Sequence, residues 1–490
     1  MAYYVQVYRS TDLNSPPITG QAGGLLSCLN PCLVDGYGWS GMSISSLTRA
    51  GAVATATVSA ADGLKLKTGM ILTISGVTGP GGGDPALYNG TFTITVASTT
   101  TFTYTMSGTP SGTATGTIVV SSWLPITSIT RGGAGNLTAT LTMNNQNVTL
   151  ITGNYITVTG CTSTGAAQYN GTFRITVTSS TTFTYQMVSD PGASATVTGA
   201  TYYKAGLQWT RPFSAGTNSQ TYKSATTVGA LGETYVPRPL QIIDNAATAG
   251  LGLEAQMYSA EIMQADQIVT FNQFPTVAQK ASGLCMRKSV AASSAVKEWT
   301  LWGDEKTFTL NIFTTDVNTF NPAVAFGYFI PTKSGDLFNT FISGGSSFNV
   351  NNASYGINTA GWLANTAAAS NFYISRSYTQ IGTSLSTSLC YSSTGTVNSI
   401  LGAAAASPLL GPNPTDSGYY VQPVFVQDVV GTLRGRMPGL YGLLNPITNF
   451  SNFDTITNVV GMSGSTLMFH PVGSVNIQGG CFIDMFGPWI

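Results

Sequence analysis

Nucleophilic catalysis needs a base beside a serine or cysteine, and the usual base is histidine. This chain has one, His470, in Leu467-Met468-Phe469-His470-Pro471. Cys481 follows closely, but no carboxylate is placed to orient the pair. A strand carrying a hydrogen-bonded or exposed imidazole is the expectation, and no catalytic residue is assigned. Paired carboxylates could cleave a glycosidic bond. The richest acidic positions are Asp304-Glu305 and the trio Glu254, Glu261 and Asp266. Neighbours on a strand point to opposite faces, so Asp304 and Glu305 cannot jointly flank a bond there, and a turn before the strand at Thr307 is the simpler account.

Metal and cofactor sites fare no better. The cysteines Cys28, Cys32, Cys161, Cys285, Cys390 and Cys481 are scattered, and only Cys28 and Cys32 lie close together. A zinc site would need further ligands, so ordinary buried or loop thiols are expected, with a Cys28–Cys32 disulfide or a late cross-link as alternatives. The run Gly79-Pro80-Gly81-Gly82-Gly83-Asp84 is followed by no Lys-Ser or Lys-Thr and no helix signal, so it reads as a loop rather than a phosphate cradle. Gly344-Gly345 and Gly479-Gly480 read as loop tips as well. No catalytic, cofactor-binding or metal residue is assigned. Trp39, Trp123, Trp209, Trp299, Trp302, Trp362 and Trp489 are dispersed as core or interface anchors, and Trp489, beside the C-terminus, is the expected plug into a neighbouring molecule.

Charge is the anomaly of the composition. Asp, Glu, Lys and Arg make up 8% of 490 residues, 19 of each sign, against roughly 25% in an ordinary soluble domain. A formal net charge of zero leaves no broad basic field for nucleic acid or an anionic membrane. The exposed surface must come largely from Ser, Thr, Asn, Gln and Gly. Such a surface repels copies of itself weakly and suits a subunit that ends packed against other proteins. Residues 1–9 show no secretory leader, and no window reaches the ~18 apolar residues of a membrane helix.

The elements that would position these residues announce themselves by repetition. Ser46-Leu47-Thr48-Arg49 returns as Ser128-Ile129-Thr130-Arg131, Thr68-Gly69 as Thr152-Gly153, and Tyr88-Asn89-Gly90-Thr91-Phe92 as Tyr169-Asn170-Gly171-Thr172-Phe173. Order-preserving agreement of this kind marks two copies of one folded module. Within each copy apolar residues alternate with threonine, as in Thr91 to Val96 and Thr172 to Val177, and a second alternating run starts at Thr101 and at Thr182. That pattern predicts strands with an apolar face and a hydroxyl face, the second run closing a hairpin. Upstream strands are expected at 54–58 and 70–75, matched by 137–143 and 155–159. Asn89-Gly90 and Asn170-Gly171 read as turns, since both residue types tolerate positive φ.

The order Thr68-Gly69, Leu72-Thr73-Ile74-Ser75-Gly76, Tyr-Asn-Gly-Thr-Phe and Thr-Phe-Thr-Tyr resembles the FCCH-like β-module, named from ubiquitin-activating enzymes and recurrent in tailed-bacteriophage structural proteins. The resemblance covers about Ser43 to Tyr203 and implies a fold without catalytic residues. A looser likeness to uncharacterised phage virion proteins rests on Phe274-Pro275-Thr276, Arg287-Lys288-Ser289, Trp299 to Phe308 and Arg434-Gly435-Arg436-Met437-Pro438-Gly439-Leu440.

The expected organisation is all-β, mainly antiparallel and multi-domain. It consists of an N-terminal segment 1–42 that could pair with the C-terminal domain, two small β-barrel or sandwich modules at 43–123 and 124–203, and a β-rich body at 204–490. Further strands are expected at 3–8, 299–302, 307–313, 325–330 and 419–426, with a short helix at Thr276 to Ser282. The implied role is a non-enzymatic, homo-oligomeric virion component made in the host cytoplasm. It would bind other virion proteins, with no cofactor, no direct nucleic acid and no membrane insertion. Tail tip or baseplate is the first placement, capsid decoration or collar the second. A carbohydrate-binding adhesin that recognises a host surface glycan is the reading from another class.

Overall fold

The computed structural model describes residues 5–79, 84–143, 150–216, 218–225, 227, 235–244, 254–263, 270–274, 285–289, 294–313, 323–344, 372–377, 379–380, 385–387, 389–390, 417–427, 433–443, 450–462, 464–474, 477–485 and 489. The fold is all-β, with several antiparallel sheets and only short helical turns. The chain divides into two compact units. One comprises Tyr8–Ile18 and Ser27–Gln208, the other Met1–Val7, Thr19–Leu26 and Trp209–Ile490. Residues 1–42 are therefore shared between the units rather than forming one segment. The expected helix at Thr276 to Ser282, together with Asp266, Gly345 and Trp362, lies outside the described residues.

In chain order the first strands are β1 (Gln6–Arg9), β2 (Met42–Ser43), β3 (Ser46–Ala50), β4 (Val53–Thr57), β5 (Ile71–Gly79), β6 (Gly90–Val96), β7 (Thr101–Thr105) and β8 (Thr115–Ser121). They are followed by β9 (Leu124–Arg131), β10 (Thr138–Met143), β11 (Tyr155–Thr159), β12 (Gly171–Val177), β13 (Thr182–Gln186) and β14 (Thr201–Lys204). Strands β2 to β8 form one sheet in the order β2-β8-β5-β6-β7-β4-β3. Strands β9 to β14 close into a barrel in the order β10-β13-β12-β11-β14-β9. The closure depends on β9, which pairs β10 along most of its length and β14 at Leu124 and Pro125. In the first module two short strands take the place of β9: β2 pairs β8, β3 pairs β4, and between them Ile44 N donates to Ile118 O at 3.0 Å and Ser45 N to Thr57 O at 2.9 Å.

The two modules are held by matching contacts. Phe92 stacks on Tyr104 with centroids 4.5 Å apart, and Phe173 on Tyr185 at 4.3 Å. The Tyr104 hydroxyl donates to Tyr88 O at 3.1 Å and that of Tyr185 to Tyr169 O at 3.3 Å. Thr68 Oγ1 accepts Val96 N at 2.9 Å, as Thr152 Oγ1 accepts Val177 N at 3.0 Å. The Asn-Gly pairs differ from the two-residue turns expected of them. Only glycine takes positive φ, 148° at Gly90 and 144° at Gly171. The asparagine side chain instead imitates a strand neighbour. Asn89 accepts Val77 N at 3.1 Å and donates to Val77 O at 2.9 Å, and Asn170 does both with Cys161 at 3.0 Å.

The segments 8–18 and 27–42 tie the modules into one unit. Asn14, itself at φ 57°, donates to Ile71 O and Ser122 O at 2.9 Å and accepts Ile71 N at 2.8 Å. Ser122, between β8 and β9, donates to Tyr37 O at 2.7 Å and accepts Trp39 N at 3.0 Å. Leu13 and Ile71 both pack on the core of the second module.

Among the described residues the larger unit contains three sheets. The first runs β1, 298–303, 308–313, 323–328, 340–343, 372–374 and 385–387. The second runs 210–215, 219–223, 239–243, 254–263 and 270–274, with 285–287 also paired to 254–263. The third carries 389–390, 421–427, 433–443, 477–484, 467–474 and 455–456. A single core joins Val5, Val7, Trp302 and Phe341 of the first sheet side to Val426, Leu440, Met468 and Ile483 of the third. Gly479 and Gly480 lie within the strand Ile477–Asp484, not at a loop tip.

Trp489 corrects the expectation of a docking tail. It is 4% exposed within that core, and its indole Nε1 donates to Asp484 O at 3.0 Å. The ring lies against Gly439, whose φ of +60° and lack of Cβ leave it room. Trp489 thus fills the core of its own unit. Trp489→Ala should cost about 3–5 kcal/mol, the usual penalty for emptying a buried tryptophan site. The expected outcome is a clearly lower melting temperature for the full chain by calorimetry; an unchanged melting profile would contradict the assignment.

Candidate functional site

The residues singled out for chemistry are built into structural roles. His470 and Cys481 are register partners on the strands Leu467–Ser474 and Ile477–Asp484, and both are 0% exposed. Asn311, on the strand Phe308–Phe313, brings Nδ2 to 2.8 Å from His470 Nε2. The rings of Trp302 and Phe313 close over the imidazole at 4.6 and 5.5 Å. Burial pulls the His470 pKa down to about 3 and pushes the Cys481 thiol up. Those shifts run opposite to what a thiolate–imidazolium pair needs, in which the cysteine is acidic and the histidine basic. His470 Nδ1 and Asn311 Oδ1 have no hydrogen-bond partner among the described residues.

Asp304 shapes the turn between the strands Glu298–Gly303 and Phe308–Phe313. Its Oδ1 accepts Lys306 N at 2.8 Å and Thr307 N at 2.7 Å, and its N–H donates to Thr307 O at 2.8 Å. Burial raises its carboxyl despite the nearby Lys306. Of the acidic trio, Glu261 is described in full. It takes a fork from Arg376 at 2.6 and 2.7 Å and a bond from Asn272 at 3.0 Å. Burial pushes its carboxyl up, but these donors outweigh it and hold the pKa below the ordinary value. Arg434, 0% exposed, forks onto Asp336 at 2.7 and 3.1 Å and donates to Arg376 O at 3.0 Å. In this double network each carboxylate has both oxygens engaged by an arginine fork.

A second buried cluster, in the two-module unit, was not foreseen from sequence. Lys204 Nζ meets Asp12 Oδ2 at 2.6 Å, beneath the rings of Tyr8 and Tyr37 at 4.9 and 5.6 Å. Tyr37 donates to the same carboxylate oxygen at 3.2 Å. Cys28 and Cys32 are buried and unbridged, as are Cys161 and Cys481. Burial, then its hydrogen bond with Cys32, raises the Cys28 thiol. Gly79 ends β5, and a five-residue helix, Asp84–Tyr88, follows the glycine run where no helix was expected. Asp84 there binds the Ser111 backbone N–H at 2.6 Å. Among the described residues no group of three His, Cys, Asp or Glu side chains could hold a metal ion, and no helix is long and apolar enough to cross a membrane.

What the modules present outward is hydroxyl. Thr73 and Thr91, both half-buried, stand opposite each other on β5 and β6 with oxygens 3.1 Å apart, Thr73 also donating to Trp123 O at 3.2 Å, and Thr157 and the exposed Thr172 repeat the pair on β11 and β12 at 3.0 Å. Thr159 and Thr201 add a third pair at 3.1 Å. Exposed Thr93 and Thr95, with Arg174 and Thr176 at the matching places, continue the face. Apart from Arg174, such a surface can exchange hydrogen bonds with a protein neighbour without desolvating a charge. The candidate functional site is therefore this pair of hydroxyl-rich sheet faces, on which Arg174 of the second module stands where the first has Thr93. No family model matches the chain, and no curated protein matches it.

His470 yields a pH test. An unfolded histidine titrates near its ordinary 6.5, whereas the buried one titrates at about 3. Between those values only the unfolded state binds the proton. The contribution is complete above pH 6.5, declines as pH falls through this window and levels off below it. Wild type should lose stability relative to His470→Gln by up to about 1.4 kcal/mol per pH unit below pH 6. Urea midpoints for both proteins at pH 7 and pH 4.5 check this; parallel changes would contradict it.

Proposed function

We propose that this chain is a non-enzymatic structural subunit of a tailed-phage virion, associated with the tail tip or baseplate, whose modules make contacts to neighbouring subunits. The observation that carries this reading is the twin module with an aromatic interior and a threonine exterior, in a chain with only 8% charged residues. Faces of this kind gain little from standing free in water as charged surfaces do, and they lose little on being covered. The ionisable residues that could have served catalysis are engaged in folding. His470 lines a core, Asp304 makes a turn and Glu261 anchors Arg376.

The resemblance of the modules to FCCH-like units of phage proteins supplies the setting. Duplication supplies two equivalent faces on one subunit, which suits a repeating contact around a symmetry axis.

The test is a density map of intact particles that contain this chain, with copies located by fitting the two units separately. The reading predicts ring-like copies at the tail tip or baseplate, with β5-β6 and β11-β12 faces against neighbouring protein. Copies on the capsid lattice, or no copies in purified particles, would contradict it.

A further inference from the structure

Asp244 and Lys288 sit just beyond two strands that flank the start of the strand Glu254–Met263. Ile243 is paired with Gln256 on one side, and Arg287 with Glu254 on the other. Both side chains are 0% exposed. Lys288 Nζ contacts Asp244 Oδ1 and also donates to Gln21 O at 2.7 Å. The other carboxylate oxygen, Oδ2, accepts Leu25 N at 2.7 Å. The main chain is fixed as well, because Asp244 N donates to Asn218 O at 2.7 Å and Asp244 O accepts Gly23 N at 3.1 Å. An amine nitrogen is thus held against a carboxyl group whose far oxygen is already polarised by a backbone N–H, with no solvent exposure of either side chain.

We propose that Lys288 and Asp244 join as an intramolecular amide, a covalent cross-link across the end of this sheet. The step needs no oxidant or co-reactant. The neutral Nζ attacks Cγ of the protonated carboxyl, and the Nζ–Cγ bond forms while negative charge moves to Oδ2, where the Leu25 N–H receives it. One proton passes from Nζ to the Oδ1 hydroxyl, the Cγ–Oδ1 bond breaks and water leaves. The product amide keeps one N–H for Gln21 O and one carbonyl oxygen for Leu25 N.

Two further observations favour this outcome over a lasting ion pair. Burial raises the Asp244 carboxyl despite the attraction of Lys288, and burial lowers the Lys288 ammonium, so both groups are driven toward the neutral forms that react. An ammonium has three hydrogens to place, and among the described residues Lys288 has two acceptors. The amide removes both buried charges and leaves every remaining polar atom of the pair bonded. The Lys204–Asp12 pair lacks this arrangement. There the oxygen that meets Lys204 is also the one that takes Tyr37 and Arg9 N, and among the described residues no donor polarises the carboxyl from its far side.

The test is the denatured intact mass of the purified full chain, followed by tryptic digestion and fragmentation. The expected mass is that of the sequence less one water, with a branched peptide joining the segments that contain Asp244 and Lys288. Lys288→Arg and Asp244→Ala should each show their full calculated mass. Asp244→Asn should lose ammonia instead of water and give the same branched peptide as wild type. A wild-type chain that is folded and carries its full mass would overturn the proposal, whatever the variants do. A water loss traced to any other pair of residues would overturn the assignment to these two.

Discussion

The structure depends on one constraint: successive side chains of a strand point to opposite faces, so a two-letter alternation in sequence becomes a two-sided object. In β6 and β12 the alternation places Ile94 and Ile175 at 1% exposure, while Thr95 and Thr176 on the other face are exposed. The inner side is then filled by aromatic pairs, Phe92 with Tyr104 and Phe173 with Tyr185, whose buried hydroxyls are answered by backbone carbonyls. A slip by one residue would bring threonine inward and phenylalanine outward, so the pattern fixes register as well as fold.

The same constraint explains where the few charges go. With threonine supplying the exterior, charged residues are not needed for a polar surface, and several are spent inside. Lys204 with Asp12, Lys288 with Asp244 and Arg434 with Asp336 all have side chains at most 6% exposed. The Lys204–Asp12 and Arg434–Asp336 ion pairs add little net stability over apolar packing, but removing one partner strands the other, which makes them strict about geometry. All three pairs stand at junctions: Asp12 lies in the segment that ties the modules together, Asp336 between strands of the larger unit, and Asp244 between a sheet and the segment 19–26.

Much of the fold was legible in sequence because it rests on local, repeated signals. The strand 155–159 appears with its expected bounds as β11, and 54–58, 70–75 and 137–143 are met within a few residues by β4, β5 and β10. The division of the place of β9 between the two short strands β2 and β3 in the first module was not legible, since composition does not mark it. Nor was the role of Asn89 and Asn170, because a side chain imitating a strand partner has the same residue signature as a turn. Trp489 was misread for a related reason. An apolar residue near a chain end looks free in sequence, whereas Gly439, far away along the chain, opens the space that receives it. The buried pairs Asp12–Lys204 and Asp244–Lys288 join residues distant in sequence, and nothing local announces such contacts.

The central claim is that the threonine faces of the modules are contact surfaces for protein. It is tested most directly by Thr95→Lys with Thr176→Lys, two exposed positions that matching strands place alike. Variant and wild-type chains should be supplied together during particle assembly, and their ratio in purified particles measured by mass spectrometry. The account predicts a variant that melts as wild type does yet is depleted several-fold from particles. Equal incorporation of an equally stable variant would contradict it.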